Sequence, residues 1–118
     1  MVSLLLENHA QVDLANNNGA TPLYMAAGNG HTEVVSLLLE NHAQVDLANN
    51  DGVTSLIIAA QIGHTAAVRL LLQAGADPLV ITKRGHTPID VALYLNHSEV
   101  AALLQARIAE IQGQRRRG

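Results

Sequence analysis

Gly19-Ala-Thr-Pro-Leu-Tyr-Met-Ala-Ala-Gly-Asn-Gly-His-Thr-Glu-Val-Val-Ser-Leu-Leu-Leu39 is the stretch whose reading decides the fold. Thr21 is suited to cap a helix, and Pro22 fits the first helical position, where its missing N–H costs nothing. A short helix over Leu23–Ala27 is then stopped by Gly28-Asn29-Gly30. Thr32 is read as the cap of a second helix, with Glu33 in its first turn favoured by the helix dipole. Val34, Val35 and Leu37 to Leu39 leave that helix almost no polar face, so it must be covered on more than one side.

The same grammar returns at Gly52–Leu72 and, more loosely, at Gly85–Leu104, with a step of 33 residues each time. Val2–Asn17 and Val35–Asn50 are identical over sixteen positions at that offset. A fixed period of this length means stacked units, each leaning on its neighbours, with no single closed core. The units read as a partial N-terminal repeat over 1–15, whole repeats over 16–48 and 49–81, a C-terminal capping repeat over 82–112, and a flexible basic tail over 113–118.

Outward from the opening stretch, each unit carries its own expectation. Val2–Leu6 reads as the end of a second helix whose first helix is missing, which leaves Val2, Leu4, Leu5 and Leu6 as an open edge and marks the chain as a piece of a longer array. In the middle unit Ser55 replaces proline, and the second helix ends at Gly75, a good left-handed cap. His9 and His42 stand at that register in the earlier copies, so poorer capping is expected there. In the last unit Ile108 takes the same place, which extends the final helix over about Ser98–Gln112. Its apolar stripe of Val100, Leu103, Leu104, Ile108 and Ile111 opposes Gln105, Arg107, Glu110 and Gln112, the two-faced pattern an array needs at its end.

Composition excludes several function classes. Apolar residues make up 48% of the chain, with no Phe, Trp or Cys, so disulfides and thiolate metal sites are out. No apolar run approaches the ~18 residues of a membrane span and no secretory signal opens the chain, so an intracellular, cytoplasmic setting is the expectation. Residues 1–81 hold seven acids against Arg69, and residues 82–118 hold six basic residues against three acids, for a net charge of −3. The acidic body and lone pair of tyrosines argue against nucleic acid as a partner, and nothing points to a membrane.

Chemistry fares poorly as well. His31, His64 and His97 recur once per unit, as do His9 and His42. Units stacked roughly 10 Å apart cannot bring such copies within ~2 Å of one zinc, so they read as turn residues. There is no Gly-x-Ser-x-Gly elbow and no thiol nucleophile. His86 and Asp90 lie one helical turn apart but lack a third group, and Gly28-x-Gly30 lacks the strand and third glycine of a phosphate loop. No catalytic residue, cofactor or metal is expected.

Thr21-Pro-Leu-Tyr-Met-Ala-Ala27, Thr54-Ser-Leu-Ile-Ile-Ala-Ala60 and Thr87-Pro-Ile-Asp-Val-Ala92 recur in phase with Gly30-His31, Gly63-His64 and the Leu triplets at 4–6, 37–39 and 70–72. On these residues the chain resembles the ankyrin-repeat family from residue 2 to about 112. The resemblance implies an all-α solenoid of helix-turn-helix units joined by β-turn or hairpin loops. The family motif's histidine, which bonds the neighbouring threonine, is replaced by Tyr24, Ile57 and Asp90. Asn96 stands at the inter-helix glycine, so a different turn is expected in the last unit.

In such arrays turn tips and first helices line a concave side where partner proteins bind. Carried over by position, the resemblance implies a partner-binding set of Asn18, Ala20, Met25, Asn29, Asp51, Val53, Ile58, Gln61, Ile62, Lys83, Arg84, His86, Tyr94 and Leu95. Val53, Ile58 and Ile62 form an apolar trio that marks a binding surface if exposed and packing between first helices if not. The expected function is non-catalytic protein–protein recognition. The rivals are self-association into a homodimer through the open N-terminal edge, and a regulatory segment of a larger enzyme or effector.

Overall fold

A computed structural model of the chain describes residues 12–117, with side chains through Gly113. The open edge of Val2 to Leu6, most of the partial repeat over 1–15, and the side chains of Arg115 to Arg117 lie outside the described residues. Among the described residues six helices follow one another as α1 (Pro22–Gly28), α2 (Thr32–Glu40), α3 (Ser55–Ile62), α4 (Thr65–Gln73), α5 (Pro88–Tyr94) and α6 (Ser98–Arg117). α1, α3 and α5 stack as one layer and α2, α4 and α6 as a second, each helix also packing on its partner in the same unit. The result is a slab of 42 × 30 × 23 Å. Among the described residues there is no strand, only an isolated antiparallel bridge between Ala48 and Thr54.

Capping explains why the first-layer helices start where they do. The hydroxyls of Thr21, Thr54 and Thr87 accept from the amides of Tyr24, Ile57 and Asp90 at 3.2, 3.3 and 3.2 Å. Each bond satisfies one of the orphan donors of a helix start. Loss of the motif's histidine therefore leaves this bond intact, because the donor is the backbone of the substituted position. The second-layer helices start differently from the sequence reading. His31 and His64 are the caps of α2 and α4, make no side-chain capping bond, and put Thr32 and Thr65 inside the helix.

Helix ends follow one backbone pattern across glycine and non-glycine residues. Gly30, Gly63 and Asn96 all have left-handed φ, at +72°, +85° and +63°. In each case the next amide reaches back to close the turn, His31 to the Ala26 carbonyl, His64 to Ala59 and His97 to Ala92, at 3.0, 3.0 and 2.9 Å. The last unit's turn thus matches the others, contrary to expectation, since asparagine tolerates this conformation. His42 likewise takes φ +69°, and Ala43 N–H to the Leu38 carbonyl repeats the bond of Ala76 to Leu71. The α2 end is as fully bonded as that of α4, with Asn41 Nδ2 adding a 2.8 Å bond to the Leu37 carbonyl. Final helix α6 runs to Arg117, past the Gln112 end read from sequence.

The core is a continuous seam of Leu23, Val35, Leu38, Leu56, Val68, Leu71, Val100 and Leu104, all at most 1% exposed, filled in by alanines. Between units, the His64 ring lies over Gly30, where an added Cβ would stand 2.8 Å from its Cε1. His97 covers Gly63 in the same way, and its Nδ1 lies 2.9 Å from the Ala60 carbonyl oxygen. His64 and His97 are thus inter-unit packing groups.

Carboxylates bracket the loops on the far side. Asp13 Oδ1 accepts from the Gln44 amide and Asp46 Oδ1 from the Asp77 amide, both at 3.0 Å. At the turn tips, Asn50 N–H donates to the Asn18 carbonyl at 3.0 Å and Lys83 N–H to the Asp51 carbonyl at 3.2 Å. Among the described residues, no helix is long and apolar enough to cross a membrane.

Candidate functional site

The first layer of helices and the turn tips form one side of the slab, and two hollows open on it where the middle unit meets the last. One, of about 640 Å³, is lined by Gln61, His86, Asp90, Val91, Tyr94 and Leu95. The other, of about 280 Å³, is lined by Asp51, Val53, Ile57, Gln61, Thr82, Lys83, Arg84, His86 and Val91. Gln61, His86 and Val91 belong to both, so the two make a single groove along α5.

Local sequence explains why these side chains face it. Asn49 Oδ1 accepts from the amides of Asp51 and Val53, both at 2.9 Å, which folds the tip back over α3. Thr82 Oγ1 does the same for the His86 amide at 3.1 Å. Asp90 and Tyr94 are four apart on α5 and share one helical face, which with Val91 forms the groove wall, while His86 reaches the groove from the tip, two residues before the helix starts. Asp90 also accepts from the Thr87 amide at 3.1 Å, forming a reciprocal cap. That bond, helped by the Thr87 hydroxyl bonding the carboxyl and by the nearby His86, holds the carboxyl below its ordinary value of 3.8 against an opposing effect of burial.

The fourteen residues read from sequence divide by their place in the slab. Asp51, Val53, Gln61, Lys83, Arg84, His86, Tyr94 and Leu95 line the groove. Asn18, Met25 and Asn29 are exposed at the corresponding columns of the first unit but do not reach it. Ala20 is buried at 7% exposure and packs under the turn. Ile58 is half-buried against the neighbouring first-layer helix, where a Cβ on Gly28 would lie 3.3 Å from its Cγ1. Ile62 is 45% exposed. The apolar trio therefore splits, with Ile58 packing between helices, Val53 half-buried in the groove lining and Ile62 exposed.

Ile57, Thr82, Asp90 and Val91 line the groove but lie outside the fourteen-residue set. The four-residue spacing of Asp90 and Tyr94 on α5 was the available signal for Asp90. Tyr24 stands in the same column one pair of units away. Its hydroxyl accepts from Asn49 Nδ2 at 3.3 Å, tying α1 to the next tip. Burial pushes its phenol above the usual tyrosine range, opposed by the Asn49 bond and helped by the charge of Asp51.

A family model described as ankyrin repeats, in three copies, matches residues 1–82 and 46–114. The chain belongs to the ankyrin-repeat family. Ankyrin repeats are generally protein–protein interaction modules and are typically non-catalytic. No curated protein matches the chain. In this ankyrin array the groove brings exposed apolar and charged side chains together on one side. Among the described residues, no group of three or more His, Asp or Glu is placed to hold a metal ion.

Proposed function

We propose that the array binds a partner protein through its concave side, chiefly in the groove between the middle and last units. The observation that carries this reading is the convergence of eight separately positioned residues on one groove, with Tyr94 86% exposed at its end. A large aromatic ring held on a short helix offers contact area at little cost in side-chain entropy, and such residues dominate binding energy at interfaces. The wall is preassembled by turn and cap hydrogen bonds, so docking orders little additional backbone.

Affinity capture with the intact chain, run beside Tyr94→Ala and beside Gln105→Glu on the outer face of α6, tests the reading. The expected result is a captured protein lost with Tyr94→Ala and retained with Gln105→Glu, while the thermal melts of all three coincide. Equal capture by all three proteins would refute the groove as the binding face.

A further inference from the structure

The groove differs sharply from one end to the other in charge. Along the row of tips the units read Asn17-Asn18, Asn50-Asp51 and Lys83-Arg84, so positive charge enters only at the last unit. Before residue 82 the chain's one cationic Lys or Arg is Arg69, on α4 in the other helical layer. Lys83 and Arg84 are both exposed, and neither is in an ion pair; among the described residues the one such pair is Arg107 with Glu110 at 3.5 Å. Two carboxylates share the groove. Asp90 is already accepting from the Thr87 amide, which leaves Asp51 alone against two uncommitted cations.

The opposite end is apolar. Tyr94 and Leu95 are exposed and Val91 is half-buried there. Gln61 stands between the two ends, with an amide able to donate to and accept from a passing peptide backbone. α5, which separates the ends, has seven residues. At 1.5 Å per residue it is about 10 Å long, the span of roughly three residues of extended chain.

We propose that the groove's occupant is an extended peptide segment of the partner that carries an aspartate or glutamate about three residues from a large apolar side chain. The carboxylate meets Lys83 and Arg84, where the arginine fork gives a two-pronged contact. The apolar side chain lies against Tyr94, Leu95 and Val91. This inference rests on the groove being the binding face.

Selection of a random-peptide display library on the intact chain tests it, followed by fluorescence anisotropy with the enriched peptides made synthetically. Enriched sequences are expected to pair an acid and an apolar residue at the stated spacing. Their affinity should fall about tenfold or more with the double variant Lys83→Glu/Arg84→Glu, and also with Tyr94→Ala. It should weaken as salt rises from about 50 to about 500 mM. All three side chains are exposed, so unchanged melting curves will show that the variants are folded.

Enrichment of basic peptides that still need Tyr94 would overturn the acidic anchor and leave the groove standing as the binding face. Peptides indifferent both to Tyr94→Ala and to the charge reversal would overturn both readings. Failure to enrich any peptide would count against a linear occupant.

Discussion

The middle unit and the last unit share a backbone plan, yet equivalent columns meet different surroundings. Ala27 and Ala60 are fully buried because the following unit closes over them, whereas Leu93 in the same column is 56% exposed. The column of Asp13 and Asp46 supplies the loop bracket, but in the middle unit it holds Leu79. The reason lies 31 residues ahead: Gln44 and Asp77 offer loop amides, while Glu110 sits inside α6, where backbone amides are already bonded. A carboxylate at position 79 would find no donor. An interior unit draws its order from both sides. The end unit supplies its own, through the reciprocal Thr87–Asp90 cap and a 20-residue final helix.

Leucine truncation should open the widest gap between the two units. Leu56→Ala, at a fully buried position of α3, is expected to cost about 2–5 kcal/mol. Leu93→Ala should stay within about 0.5 kcal/mol. Urea unfolding followed by far-UV circular dichroism gives both, and equal losses would mean the end unit is covered as the middle one is.

Next in size is the reciprocal cap. Thr87→Ala should cost about 0.5–2 kcal/mol, typical of a lost N-cap. Its partner adds a pH signature. Because the folded state lowers the Asp90 pKa from 3.8, its contribution is full above that value and disappears as pH falls through the lower folded value. The stability gap between the native chain and Asp90→Asn should therefore narrow on acidification through that window. A gap constant with pH would show the carboxylate charge to be idle.

His42→Gly should move the other way. Relief of a left-handed φ is expected to gain about 0.5–1 kcal/mol in the first whole unit. No gain would place the cost of the histidine elsewhere. Smallest is the bracket itself: Asp46→Ala should lose roughly 0.5–1 kcal/mol, the worth of one exposed hydrogen bond. Leu79→Asp should gain nothing measurable, and a comparable gain there would break the account of why the column changes.

The stacking of units was legible because a 33-residue period puts the same residue types in the same columns, and the threonine caps were legible because a hydroxyl must precede the helix it serves. Starts at His31 and His64 were not, since those caps use backbone geometry and no side-chain acceptor. Asn96 and His42 were hard for a related reason: φ choice at a non-glycine residue is settled by the turn it must close. At the groove, columns gave the right neighbourhood. Burial of Ala20 and the inward packing of Ile58 depended on contacts with adjacent units, which no column position reveals.

The missing bracket has a mechanical corollary. The joint between the first two whole units is pinned at opposite rims, by Asn50 at the tip and Asp46 at the loops. The joint beyond it keeps the tip tie of Lys83 and the His97 strut, but has no rim pin at Leu79. Loads on the array should therefore concentrate at that joint, which is also the floor of the groove.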